Sequence, residues 1–144
     1  MANQVYGVGY SKKQPADILR LAMQLDAIVY DVRYSPRSRR PEWSRKRLTE
    51  ALGDRYQHTP QFGNANYKVK GGPIEIKDFA AGLAMVRASD KPVILMCVCG
   101  DPNKCHRTVV GRLLRQYAIQ YTELDDPSLR LTAEGRAINQ PSLL

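Results

Sequence analysis

"PVILMCVCGDPNKCHRTVVGRLLRQYA", residues 92–118, decides the fold. Its first six residues are apolar throughout, too short for a helix and suited to a strand buried on both faces of a parallel sheet. Asp101-Pro102-Asn103 then forms a strong turn signal. From Cys105 onward Val109, Val110, Leu113, Leu114 and Tyr117 recur at helical spacing, with Arg112 and Arg115 on the opposite side. A buried strand, a loop and an amphipathic helix in that order are the repeating piece of an α/β domain.

Working outward, the same alternation continues in both directions. "VYGVGY" (5–10) and "AIVYDV" (27–32) read as strands around the helix "QPADILRLAMQLD" (14–26), which has Pro15 in its first turn and Ile18, Leu19, Ala22 and Leu25 on one face. "SRKRLTEALG" (44–53) reads as a short helix capped by Ser44 and stopped at Gly53, and "RYQHT" (55–59) as a further strand. "PQFGNANYKVKGGP" (60–73) is a loop of Gly, Asn and Pro. "KDFAAGLAMVRAS" (77–89) is a helix, "IQYTELDD" (119–126) a last strand, and the final twenty residues carry only weak helical signals. Residues 1–144 therefore form one α/β domain: a mostly parallel sheet with helices on both faces, Rossmann-like or rhodanese-like in architecture. In such sheets ligands bind beyond the carboxyl ends of the strands. "DVRYSPRSRR" and the cysteine loop both follow strands directly, so they are expected at one sheet edge.

Composition agrees with a globular protein: 43% hydrophobic and 25% charged residues in 144 are enough for a core without staples. No apolar run approaches the ~20 residues that cross a bilayer, so no membrane partner is expected. The N-terminus lacks the basic start and apolar stretch of a secretory signal, which makes a cytoplasmic, reducing setting the default. The net charge of +8 points to a polyanionic partner, nucleic acid or a phosphorylated nucleotide, and fits a merely soluble basic surface equally well.

All three cysteines and one of the two histidines fall within residues 97–107. An odd, clustered count argues against a disulfide framework. Cys97, Cys99, Cys105 and His106 offer enough donors for tetrahedral zinc. Against that, Cys-x-Cys is tighter than the usual spacing, and adjacent Cys105 and His106 diverge if both are helical. No metal or other cofactor is expected. Cys97 alone also reads as a small apolar core residue. A reactive thiol fits better: Cys105, His106 and Arg107 fall at a helix start, where backbone N–H groups and the cationic neighbours favour a thiolate or a bound anion. The strand–Cys–loop–helix layout resembles rhodanese and cysteine-phosphatase sites only loosely, because their arginine spacing is missing.

Seven basic residues against one acid crowd residues 33–47. Arg33, Arg37, Arg39 and Arg40 are candidates for phosphate contact, and Trp43, assisted by Tyr34, for stacking on a base. The competing reading is a solvated basic loop with Trp43 in the core. Asp31 is a candidate base or the ion-pair partner of Arg33. Asn64, Asn66 and Tyr67 offer ligand contacts, although Asx turns explain the asparagines equally well. Tyr10 and Ser11 end the first strand and face the same edge.

"GVGYSKKQPADIL", "DVRYSPRSRRPEWS", "YQHTPQFGN" and "VILMCVCGDPNKCHRTVVGRLL" together resemble the family known as domain of unknown function 488, over most of the chain. The most specific match is a Cys, seven residues, then Cys-His-Arg after an apolar strand. The resemblance implies a compact α/β fold with these segments gathered at one site; it implies no reaction. Cys99 stands where members commonly have an acidic residue, which weighs against a metal site that needs it. The expected function is a nucleotide- or nucleic-acid-directed enzyme. Cys105 or Cys97 is its thiol, acting as a hydrolase or transferase; His106 relays protons, and Arg33 and Arg107 hold phosphate. The alternatives are a non-catalytic nucleic-acid-binding module and a zinc-stabilised binding domain.

Overall fold

The computed structural model describes residues 4–36, 39–69, 71–98 and 105–125. Five strands, β1 (Gln4–Gly9), β2 (Ile28–Asp31), β3 (Tyr56–His58), β4 (Val93–Cys97) and β5 (Gln120–Glu123), alternate with four helices, α1 (Pro15–Leu25), α2 (Arg45–Leu52), α3 (Phe79–Ala88) and α4 (His106–Gln116). The strands form a single all-parallel sheet in the order β3-β2-β4-β1-β5. This is the expected single α/β domain with Rossmann-like architecture. Among the described residues no helix is long and apolar enough to cross a membrane.

The strand order explains the two layers. The chain steps from β1 towards β3 and then reverses through β4 to β5. Crossovers of one hand put the helices of the two halves on opposite faces. Ile18 and Ala22 of α1 and Leu48 and Leu52 of α2 pack with Val8, Ile94 and Met96. Leu83 and Val86 of α3 and Val110 and Leu114 of α4 pack with Val5, Val93, Leu95 and Cys97. Alternate residues of β4 thus serve opposite cores, and all five are buried, as the apolar run required. The alternation also sends Cys97 to the α3–α4 side.

Helix ends follow their local chemistry. The Asp17 carboxylate reaches back over Pro15 to accept from the Gln14 amide (2.8 Å), and the Ser44 hydroxyl accepts from the Arg47 amide, as a cap should. Residue 105 departs from expectation. Cys105 is the residue before α4, with extended backbone (φ −111°, ψ 140°), and the helix begins at His106.

The helices that follow β1 and β2 lie on one face of the sheet, and α4, which follows the intervening strand β4, lies on the other. Such a reversal opens a crevice at the carboxyl edge. Backbone hydrogen bonds carry the ladder into that edge: the Tyr10 amide donates to the Cys97 carbonyl (2.9 Å) and the Val32 amide to the Met96 carbonyl (3.0 Å).

Candidate functional site: a cysteine–histidine cavity

A cavity of about 460 Å³ opens at this edge, lined by Arg33, Tyr34, Ser35, Asn64, Tyr67, Ile74, Cys97, Val98, Cys105 and His106. Its size lies within the roughly 300–1,000 Å³ of small-molecule sites. Three separate stretches of sequence supply it: the segment after β2, the Asn-rich loop, and both ends of the cysteine loop.

The two sulfurs of Cys97 and Cys105 meet as a bonded pair, with their Cα atoms 7.7 Å apart. The odd, clustered cysteine count argued against such a pairing; strand alternation and the helix start bring these two together. Arg107 Nη1 donates to Cys97 Sγ (3.0 Å). His106 Nδ1 lies 4.0 Å from Cys105 Sγ, and its Nε2 lies 2.9 Å from the Val32 carbonyl oxygen. A carbonyl only accepts, so Nε2 carries the proton and Nδ1 presents its lone pair towards the sulfur. Burial holds the His106 pKa below the ordinary imidazole range, helped by the positive charge of Arg107 and opposed by the Val32 hydrogen bond and Asp31. The ring is therefore neutral near pH 7.

Arg107 is wholly buried and does not serve as the expected anion holder. Its Nε and Nη2 grip the Glu123 carboxylate (3.0 Å each), and Nη2 also reaches Asp125 (3.2 Å). The Tyr121 hydroxyl donates to Glu123 (2.8 Å). Tyr121 fits only because residues 7 and 111 are glycine: a Cβ at either would overlap its ring or hydroxyl. Burial raises the Tyr121 pKa, and the negative Glu123 raises it further. Sequence reading missed Tyr121, Glu123 and Asp125. The available signal was two acids at alternate positions, 123 and 125, closing a strand whose carboxyl end had to share the sheet edge with Cys97.

The expected roles of Asp31 and Arg33 also change. Asp31 is fully buried. Its two oxygens accept from Arg33 Nε (2.8 Å), Arg33 Nη2 (2.6 Å), the Arg33 amide (3.2 Å) and the Tyr56 hydroxyl (2.6 Å). With its lone pairs filled, Asp31 is no proton acceptor, and Arg33 spends its charge on it rather than on a phosphate. Burial opposes the Arg33 charge, but the Asp31 hydrogen bonds and charge outweigh that and raise its pKa. Arg33 still forms part of the cavity wall.

Trp43, expected to stack on a base, is fully buried and stacks on Tyr10 (4.1 Å between ring centroids, 12° between planes). Tyr10 is 3% exposed and is core rather than a ligand contact. Arg40 bonds to Glu42 (3.2 Å) and the Lys13 carbonyl (3.0 Å). Arg39 is exposed, Ser11 binds the Val98 carbonyl through its amide (3.1 Å), and Arg37 and Cys99 lie outside the described residues.

In the Asn-rich loop the Asx-turn reading holds for Asn64, whereas Asn66 ties the loop across to Pro73. Asn64 Oδ1 accepts from the amides of Asn66 and Glu75 (3.0 Å each), and Asn66 Nδ2 donates to the Pro73 carbonyl (2.9 Å). These bonds shape the loop and bring Asn64 and Tyr67 to the cavity. Tyr34 and Tyr67 face each other at its mouth (5.3 Å, 31°), with Lys77 over one ring and Lys68 over the other. At the cavity, exposed aromatic surface therefore comes from Tyr34 and Tyr67, not from Trp43.

No family model, curated protein or solved structure matches the chain.

Proposed function

We propose that this protein is an enzyme acting on a nucleotide, free or as a unit of a single strand, at the cavity between the Tyr34–Tyr67 pair and the Cys97–Cys105–His106 cluster. The observation that carries the proposal is the convergence itself: the bonded sulfurs of Cys97 and Cys105, which reduction converts to thiols, a neutral imidazole and two exposed tyrosines line one cavity. Tyrosine faces accept a base without sequence preference. Lys68 and Lys77 above the rings supply positive charge for phosphate, as do the exposed Arg39, Arg45, Lys46 and Arg47. The resemblance to the domain of unknown function 488 family belongs to this proposal, since "DVRYSPRS", "YQHTPQFGN" and the Cys-His-Arg segment all contribute to the cavity wall or its supports. The chemistry depends on the cysteine sulfurs at the inner end.

Competition between ligand and thiol reagent tests the proposal. Alkylation of Cys97 or Cys105 in reduced protein is expected to slow several-fold in saturating mononucleotide, and binding to weaken as salt rises. Tyr34→Ala and Tyr67→Ala are each expected to cost about 1–3 kcal/mol of binding to a single strand. Salt-insensitive alkylation that nucleotides never slow would sink the proposal.

A further inference from the structure

The three donor atoms at the inner end of the cavity, Cys97 Sγ, Cys105 Sγ and His106 Nδ1, all lie within 4.8 Å of one another. Around tetrahedral zinc, bond lengths of ~2.3 Å to sulfur and ~2.0 Å to nitrogen place donor atoms roughly 3.5–3.8 Å apart. The observed 4.0 Å between Cys105 Sγ and His106 Nδ1 is already close to that. From sequence, Cys105 and His106 diverge if both are helical. They are not both helical: Cys105 has extended backbone and His106 is the first helical residue, and the turn between them brings sulfur and imidazole to one side. The chief geometric objection to a metal is thereby removed, and Cys99 is not needed.

We infer that, once a thiol reductant has supplied the two electrons that convert the Cys97–Cys105 bond to two thiolates, Cys97, Cys105 and His106 bind a divalent metal of the zinc class, with a fourth coordination position facing the cavity. Two thiolates and one imidazole with an open position form the donor set of a catalytic rather than a structural zinc centre. The surroundings of the donors point the same way. His106 gives its Nε2 proton to the Val32 carbonyl (2.9 Å), the outer bond that ligating histidines almost always make. Arg107 donates to the Cys97 sulfur (3.0 Å) while Glu123 balances its own charge and Asp125, which it also contacts, is balanced by Lys13. Two thiolates and a divalent ion then add no net charge to a buried site. The Cα separation of 7.7 Å exceeds the roughly 4.4–6.8 Å usual for a disulfide. An ion between the sulfurs therefore needs no approach of the two backbones. Entry is through the cavity, and water or a donor of the substrate completes the shell.

This inference rests on the reading of the cavity as the active site and assigns its thiolates the role of ligands instead of nucleophile. Titration of reduced, metal-free protein with Co²⁺ and Zn²⁺ tests it. One equivalent per chain is expected, with the thiolate-to-cobalt charge-transfer band and intense d–d bands of a tetrahedral sulfur site. Cys99→Ser is expected to keep stoichiometry and spectrum. Cys97→Ser, Cys105→Ser and His106→Gln should each weaken binding at least ~100-fold, beyond the 10–100-fold of lost outer-shell partners. Wild-type protein that takes up no stoichiometric Co²⁺ or Zn²⁺ overturns the inference whatever the variants do, and so does loss of the cobalt spectrum in Cys99→Ser. A mononucleotide that leaves an intact cobalt spectrum unchanged and does not bind sinks the functional proposal while the metal site stands.

Discussion

Two buried arginines sit at the same sheet edge, each gripped by a carboxylate, and they do different things. Arg33 and Asp31 saturate each other two residues apart, with Tyr56 completing the carboxylate. Arg107 is gripped from a neighbouring strand by Glu123 and still turns Nη1 to the Cys97 sulfur. The remaining Nη1 of Arg33 goes to the hydroxyl of the buried Tyr10 (3.4 Å), so the first pair works as a brace for the segment after β2. The second links β5 to the Cys97 sulfur. A buried Arg–carboxylate pair is therefore not a site by itself; what matters is where its remaining N–H points.

The largest effect that would break this contrast is at Asp31. Removing one partner of a buried pair strands the other charge, at about 3–5 kcal/mol. Asp31→Ala is expected to lower stability by that amount in urea denaturation. A loss under about 1 kcal/mol would mean that Arg33 finds another partner and the brace is not closed. Trp43→Ala belongs to the same region and is expected to cost about 3–5 kcal/mol through lost burial. Its affinity for single strands, normalised to folded protein, should match wild type. Weakened binding with unchanged stability would instead return Trp43 to a stacking role.

Glu123→Ala sharpens the comparison from the other side. Arg107 keeps Asp125, so the stability cost is smaller, about 1–3 kcal/mol. The characteristic readout is at Cys97: the loosened guanidinium should change its alkylation rate at least severalfold, whereas Asp31→Ala should leave that rate alone. Equal effects of the two variants on Cys97 would erase the distinction between brace and link.

The smallest effect is expected where the ion pairs are in water. Asp26 contacts Lys91 (3.0 Å) and Arg55 (3.3 Å) at the opposite end of β2. The hydrogen bond and charge of Lys91, then Arg55, hold its pKa below the ordinary carboxylate value. Its stabilising contribution is therefore present above the unfolded value of ~3.9 and is lost as pH falls through the folded value. The melting-temperature difference between wild type and Asp26→Asn should be slight at neutral pH and vanish in acid. A difference that grows on acidification would reverse the assigned sign.

Much of the fold was legible because it rests on local, repeating signals. The run 92–97 had to be a central strand and Ser44 had to cap a helix; of the apolar residues expected inward on 105–118, Val110 and Leu114 face the core, while Val109 and Leu113 are half-buried and Tyr117 is exposed. The sheet-edge rule joined the segment after β2 to the cysteine loop, and both line the cavity. Individual roles were less legible. Trp43 lies in a basic, proline-broken segment that looks solvent-exposed, yet its ring fills the space over Tyr10. Asp31 and Arg33 carry the composition of a catalytic pair and the connectivity of a brace. Glu123 contacts Arg107 from a strand on the far side of β1, a relation that no local spacing contains.

The sequence by itself determined the alternation of strands and helices, the parallel sheet and the edge at which the cavity opens, because hydrophobic period and turn residues act over a few neighbours. Only the tertiary structure decided which charges neutralise one another, which aromatic rings stay exposed and how Cys105 turns against His106. Those outcomes depend on strand order and on a single residue's backbone angles, and a side chain's partner is set by what the fold brings within 3–4 Å rather than by what precedes it in the chain.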